Sequence, residues 1–296
     1  MLRSRMARRE AWTAYLFISP LVAGLFVFYV YSFFVNIYYS FTDKGSFGDP
    51  KWMGLKNYAK LLGTARFYGA VQNTLSYVAI CVPFVVVLAI LMAALLNSKI
   101  RGTGAYRTMI FLPAVTMPAA IGLLWKWVFN YEFGILNAAL RLLGIPAVAW
   151  LSDPGVALIS VSIVLIWSDI STRMIILLAG LQGIPGVYYE AAEIDGARPL
   201  DRFFRITLPL LSPSIFFVTI MEVIGVFQIF DFIYLMIPQN SSGQAATRSL
   251  VSYFYESAFI QFKKGYGASV TVVLFAIILV VTIFQMAMQK KWVHYE

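Results

Sequence analysis

The chain is nearly empty of the residues that build most catalytic and metal sites. One cysteine, Cys81, and one histidine, His294, occur among 296 residues. A single thiol inside an apolar run supplies neither a disulfide framework nor a cysteine metal site, and one imidazole near the C-terminus supplies no triad. A membrane enzyme is a poor reading for the same reason. No G-x-x-x-x-G-K-[ST] phosphate loop occurs, so hydrolysis of ATP by this chain itself is not expected. Charge is scarce as well: only 12% of residues are Asp, Glu, Lys or Arg, against about a quarter in soluble domains.

What is present is grease. Hydrophobic residues make up 60% of the chain and mean hydropathy is +0.77, which excludes an ordinary soluble domain and implies an integral membrane protein. The net charge of +9 does not point to nucleic acid. Its lysines and arginines sit at the ends of apolar runs, where they face lipid headgroups.

Six runs approach the roughly 20 residues needed to cross about 30 Å of hydrocarbon. They lie at about Trp12 to Tyr31, Val71 to Leu96, Thr108 to Phe129, Val156 to Ala179, Pro213 to Ile237 and Ala268 to Met288. The fold class expected is all-α, with six transmembrane helices, because a spanning barrel needs alternating strands of about ten residues and none is visible. Arg3, Arg5, Arg8 and Arg9 before the first run also fit a secretory signal. The run is long, however, lacks a small-residue cleavage site and ends in the aromatic "YVYSFFVNIYYSF", as a retained helix does.

With a cytoplasmic N-terminal tail (1–11), the segments 97–107, 180–211 and 289–296 fall on the same side. These four carry four, three, three and two Lys and Arg residues, twelve in all, against nine in the outer loops. Both termini are then cytoplasmic, residues 12–288 form the membrane domain, and 289–296 form the C-terminal tail.

One polar stretch lies between the fourth and fifth runs: "YYEAAEIDGARPLDRFFRITLPLLSPS". Helix formers run from Tyr188 to Asp195, Gly196 can take the left-handed conformation that ends a helix, and Pro199 can open another. The segment is expected to be helix, turn, helix, with Glu190, Glu193 and Asp195 at an acidic end and Arg198, Arg202 and Arg205 at a basic one. Ala191 and Ala192 keep one side flat, which suits docking into a groove of another protein. A solvated loop kept out of lipid by its charges is the competing account.

Glu190-Ala191-Ala192, Asp195-Gly196-Ala197, Phe203-Phe204, Ile206, Leu208-Pro209 and Pro213 resemble the EAA loop of bacterial binding-protein-dependent ABC importers. "NTLSYVAICVPFVVVLAILMAALLNSKIRGTGAYRTMIFLPAVTMPAAIGLLWKWVFN", "FQIFDFIYLM" and "SLVSYFYESAFI" are similar to the carbohydrate-importing permeases. Where that family usually has a Thr-x-Gly-Gly-Pro turn, this chain has "MIPQNSSGQ". The resemblance implies a second homologous permease, two cytoplasmic ABC ATPase subunits holding ATP and magnesium, and an extracytoplasmic sugar-binding protein. No cofactor is implied in this chain, and its place is the bacterial inner membrane. The resemblance also assigns Glu190, Ala191, Ala192, Glu193, Asp195, Gly196, Ala197 and Arg198 to the coupling region gripped by an ATPase subunit.

Ionisable residues at membrane depth are costly and mark functional sites. Here they are Lys126, Asp169, Arg173, Glu222 and Asp231. Asp169 and Glu222 fall near mid-membrane on oppositely running spans. Leu165, Asp169 and Thr172 share one helical face, as do Glu222, Val226 and Ile229. By resemblance to the maltose-importing member, these six positions line a sugar site, although they are not acidic there. Carboxylates accept sugar hydroxyls, and Trp167 offers a ring face. The bland account pairs Asp169 with Arg173 one turn away and buries Glu222 in the bundle. Lys126 is expected to reach the interface, and Asp231 to be structural or part of a gate. The rival function is a proton-coupled secondary transporter using Asp169 and Glu222.

Overall fold

The computed structural model describes residues 5–97 and 103–292, and side chains of most of these. Arg3, the basic Lys99 and Arg101, and His294 lie outside the described residues. In chain order the helices are α1 (Arg5–Leu25), α2 (Ser32–Ser40), α3 (Lys56–Leu62), α4 (Ala65–Asn97), α5 (Thr103–Val115), α6 (Pro118–Val128), α7 (Ile135–Leu142) and α8 (Ala157–Gln182). There follow α9 (Val187–Ile194), α10 (Pro199–Arg202), α11 (Leu208–Phe227), α12 (Asp231–Met236), α13 (Ser242–Thr247), α14 (Leu250–Tyr255) and α15 (Lys264–Trp292). No β-strand occurs among the described residues. The nearest approach is a single bridge between Thr42 and Trp52.

Among the described residues, five helices are long and apolar enough to span a membrane: Ala7–Ser40, Ala65–Asn97, Ala157–Gln182, Pro199–Phe227 and Lys264–Lys290. The third expected span is a correction. It is not one rod over Thr108 to Phe129 but the pair α5 and α6, bent by 101°. The cause is Pro118: the residue before a proline is pushed to extended backbone, and Met117 sits at φ −60 and ψ 135, with Pro118 opening α6. The first span also outruns its expected end at Tyr31. A π-helical turn, Phe26–Tyr31, passes directly into α2, since nothing in that stretch breaks a helix. The fifth stops at Phe227, ten residues before its expected end at Ile237, and Asp231 begins a separate short helix.

The chain divides into two compact units, residues 1–63 with 254–273, and 64–253 with 274–296. In the second unit, α4 packs along α8 and α11 packs against both. The buried stripe of α4 runs Thr74, Tyr77, Cys81, Val85, Ala89, Ala93, Leu96, at the three- and four-residue spacing of one helical face. Ala89 and Ala93 leave room for Met174, Leu177 and Leu181 of α8. In lipid no hydrophobic drive separates helices from tails, so small residues and close contact hold such pairs together. Gly180 does this between α8 and α11: a Cβ there would collide with Ser214 Oγ and Leu211 Cδ1.

Polar threads fix the far ends of these helices. Thr74 Oγ1 donates to Ala70 O at 2.8 Å and accepts Leu250 N–H at 3.0 Å. Asn73 Nδ2 donates to Ala245 O and Arg248 O at 2.9 and 3.1 Å. Ser249 Oγ reaches Ile229 O at 2.6 Å, which seats the irregular stretch between α11 and α12. Buried Asn137 accepts Val148 N–H and Trp150 Nε1–H, each at 3.0 Å, and so closes the loop after α7.

In the first unit, α2 leads into a loop pinned by the Thr42 and Trp52 bridge, by Met53 N–H on Phe41 O at 2.7 Å, and by Asn57. Asn57 Nδ2 donates to Ser40 O and Thr42 O at 2.9 and 2.8 Å. Gly265 N–H donates to Lys44 O at 2.7 Å, and its lack of a side chain is required, because a Cβ would collide with Thr42 O.

Candidate translocation path and coupling loop

Midway along α8 and in the C-terminal half of α11 lies a charged cluster. Asp169 is twelve residues into α8 (169 − 157) and Glu222 fourteen into α11 (222 − 208). Arg173 Nε donates to Glu222 Oε2 at 2.7 Å, with side-chain exposures of 13% and 0%. Glu222 Oε1 is buried with no hydrogen-bond partner. The direct ion pair therefore joins two helices, whereas the sequence offered Arg173 to Asp169 on its own helix. Asp169 stays half-buried, one turn away from Arg173.

The six positions expected to line a path divide sharply. Leu165, Glu222, Val226 and Ile229 are buried within the chain, while Asp169 is half-buried and Thr172 exposed. Only the last two present surface in this conformation. Helical geometry fits the split on α8: Leu165 is buried, and Asp169 and Thr172, one and two turns on, fall toward the edge of that buried face. Trp167 is 40% exposed, but it is two residues from Asp169, about 200° around the helix, so the two do not share a face. Its ring instead meets Trp125 edge-on at 5.7 Å, in a chain of rings continuing through Phe129 to Trp150. The buried Nε1 of Trp125 lacks a partner, a feature that no local pattern signals. Lys126 is exposed in the last turn of α6. Asp231 is exposed in the first turn of α12, where its charge suits the helix N-terminus.

The polar stretch is helix, turn, helix, built from its own punctuation. α9 ends in a Schellman turn: Gly196 N–H bonds Glu193 O at 3.1 Å and Ala197 N–H bonds Ala192 O at 2.9 Å. Gly196 takes φ +72, the left-handed conformation that glycine alone adopts freely. Arg198 is then extended, at φ −69 and ψ 156, and Pro199 opens α10. A π-helical turn, Phe203–Thr207, joins α10 to α11. Glu190, Ala191, Glu193, Asp195, Gly196 and Arg198 are exposed, while Ala192 and Ala197 are half-buried. Ile194 is 87% exposed and Leu200 71%, so the turn carries apolar surface between its charges.

Two cross-links tie this loop together. Tyr189 and Thr207 share a hydroxyl contact of 3.0 Å, and Thr207 Oγ1 also reaches Arg202 O at 3.4 Å. Arg202 meets Glu193 at 3.4 Å, so the acidic and basic ends expected to be separate touch across the turn. Beneath them a cleft of about 360 Å³ opens, with Asn97, Tyr189, Arg202 and Thr207 among its lining.

Helices long and apolar enough to span a membrane, with an exposed polar helix-turn-helix between α8 and α11, mark a multi-pass membrane protein. Residues 59–294 match the binding-protein-dependent transport system inner membrane component family, and the chain belongs to it. The lactose transport system permease protein LacF of Rhizobium radiobacter is 34% identical, over 96% of each chain. The trehalose/maltose transport system permease protein MalF of Thermococcus litoralis is 31% identical, over 95% of each. Among solved structures, a bacterial alginate ABC transporter in complex with an alginate pentasaccharide-bound periplasmic protein contains a chain of the same fold. Its TM-score is 0.86 at 20% identity, with 96% of each chain covered.

Proposed function

We propose that the chain is one of two membrane subunits of an ATP-driven carbohydrate importer. Its partners are a second homologous permease, two cytoplasmic ATPase subunits that bind ATP and magnesium, and an extracytoplasmic sugar-binding protein. The carbohydrate class is supported by the lactose and trehalose/maltose permeases that it resembles over nearly its full length. Both termini are cytoplasmic in this reading, supported by the excess of basic residues on the side holding 180–211 and by an even number of crossings, with the bent α5 and α6 as one.

The observation that carries the proposal is the exposed elbow from Val187 to Thr207, closed by the Gly196 turn and cross-linked at Tyr189 and Thr207. α10 continues through a π turn into α11, and α9 is tied to that rod by the Tyr189–Thr207 and Arg202–Glu193 contacts. A partner that displaces α9 therefore displaces the helix bearing Glu222. Closing of the ATPases on ATP would bias the bundle between inward- and outward-facing states in this way. Asp169 and Thr172 are the residues on α8 that offer sugar hydroxyls a polar surface.

Purifying the full chain in mild detergent with its co-expressed partners tests this. A separate ATPase is expected to come with it, hydrolysis is expected to rise with a sugar and its binding protein, and Gly196→Asp is expected to break that link without removing the chain from the membrane. Uphill uptake by this polypeptide alone, without nucleotide, would overturn the reading.

A further inference from the structure

The Arg173 and Glu222 pair is incomplete, and a second acceptor for its arginine stands one turn away. Arg173 Nε donates to Glu222 Oε2 at 2.7 Å, while its two terminal nitrogens form no hydrogen bond with a described residue. Nη2 lies against Gly225 of α11, 3.5 Å from where a Cβ on that glycine would sit. Glu222 Oε1 is buried and has no partner. Asp169, four residues before Arg173 on α8, has no hydrogen bond or ion pair to a described residue, and the charges acting on it are those of Glu222 and Arg173. One bond therefore serves three charged side chains.

Arginine frequently grips a carboxylate through two parallel bonds, and a buried ion pair repays its desolvation only when its remaining donors and acceptors are satisfied. The pair here does neither. Positions four apart on a helix are neighbours, with Cβ atoms about 5–6 Å apart, so Arg173 reaches Asp169 by turning its own side chain, with no backbone shift. The two acceptors differ in where they are mounted. Glu222 is fully buried on the facing helix, whereas Asp169 is half-buried on the helix that carries Arg173 itself. A bond to Glu222 lasts only while α8 and α11 lie together, and a bond to Asp169 survives their separation.

We propose that Arg173 is a positioning residue of the transport cycle that exchanges acceptors: Glu222 while α8 and α11 are closed together, as here, and Asp169 when α11 moves away. The importer reading supplies the movement of α11 on which this exchange rests. Its effect is that the guanidinium keeps a counter-charge in both states, while the released Glu222 carboxylate is hydrated in the opening between the helices. Neither state is then held shut by a stranded cation.

The test uses the assembled transporter, with the full-length chain and its co-expressed partners in detergent and no solute added. Melting temperatures of Arg173→Met, Glu222→Leu, Asp169→Asn and the two double variants containing Arg173→Met give one mutant cycle for each acceptor, run nucleotide-free and with a saturating non-hydrolysable ATP analogue. A non-additive shift of about 2 °C or more is expected for Arg173 with Glu222 in one condition and for Arg173 with Asp169 in the other. The same acceptor in both conditions, or none in either, overturns the exchange. An assembly that captures no ATPase fails the importer reading and takes the exchange with it, whereas normal capture with one unchanging acceptor fails the exchange alone. Should a single variant not assemble, uptake gives a second measurement. Asp169→Asn is expected to cost severalfold in the parental transporter and clearly less in Arg173→Met/Glu222→Leu, where nothing is left to exchange. An equal loss in the two backgrounds, or a background without uptake, marks the pair as a fixed brace and overturns the exchange.

Discussion

Arg173 of α8 and Glu222 of α11 meet at 2.7 Å in the interior of the bundle, the carboxylate with no exposed surface. Breaking such a pair leaves an uncompensated buried charge and costs about 3–5 kcal/mol, whereas replacing both partners by apolar residues is often near neutral. Arg173→Ala is therefore expected to lower the melting temperature of the detergent-purified assembly sharply. Arg173→Met/Glu222→Leu is expected to recover most of the loss. A single variant as stable as the parent would show that the pair carries no weight.

Gly196 holds φ +72, and a left-handed residue with a side chain costs about 1–2 kcal/mol. Gly196→Ala is expected to weaken capture of the ATPase partner while membrane insertion stays normal. Pull-down yield against total membrane content measures both. Equal capture would mean that the turn is not part of the docking surface.

The Tyr189 and Thr207 hydroxyls contact each other at 3.0 Å, and a hydrogen bond of this kind contributes about 0.5–1.5 kcal/mol. Tyr189→Phe and Thr207→Val are each expected to reduce solute uptake per ATP hydrolysed, and the double variant to do no more than either alone. Additive losses in that double-mutant cycle would show the two residues acting separately.

Gly180 lies where α8 and α11 approach closely, and a Cβ there would strike Ser214 and Leu211. Gly180→Val is expected to destabilise the bundle by about 1–3 kcal/mol through overpacking. Gly180→Val/Leu211→Ala is expected to restore part of the melting temperature by making room. If the second change lowers it further, the contact is not the source of the strain.

Asp169→Asn and Thr172→Val test the proposed path. Each is expected to cut uptake severalfold while ATPase capture and melting temperature remain at the parental level, because both residues keep surface open on α8. Unchanged uptake in both would place the solute elsewhere.

The local grammar of the chain was readable without coordinates. Gly196 and Pro199 announce a stop and a start three residues apart, and no distant contact is needed to honour them. Hydropathy was equally sufficient for α4, α8 and α15, whose apolar runs coincide with their helices to within a few residues at most ends. It failed over Thr108 to Phe129, because a window average counts grease and is blind to direction; Met117 before Pro118 was the available signal. The partner of Arg173 was out of reach for another reason. Asp169 is near in sequence and Glu222 is 49 residues away, and it is the tertiary packing of α8 against α11, with α4 against both, that brings the pair together.

The Schellman turn at Gly196 also dictates what insertions and deletions the chain can survive. An extra residue between Ile194 and Pro199 would break the pairing of Gly196 N–H with Glu193 O and of Ala197 N–H with Ala192 O, and with it the spacing that lets Tyr189 meet Thr207. What the turn constrains is therefore the number of peptide units between α9 and α10 as much as the identity of residue 196.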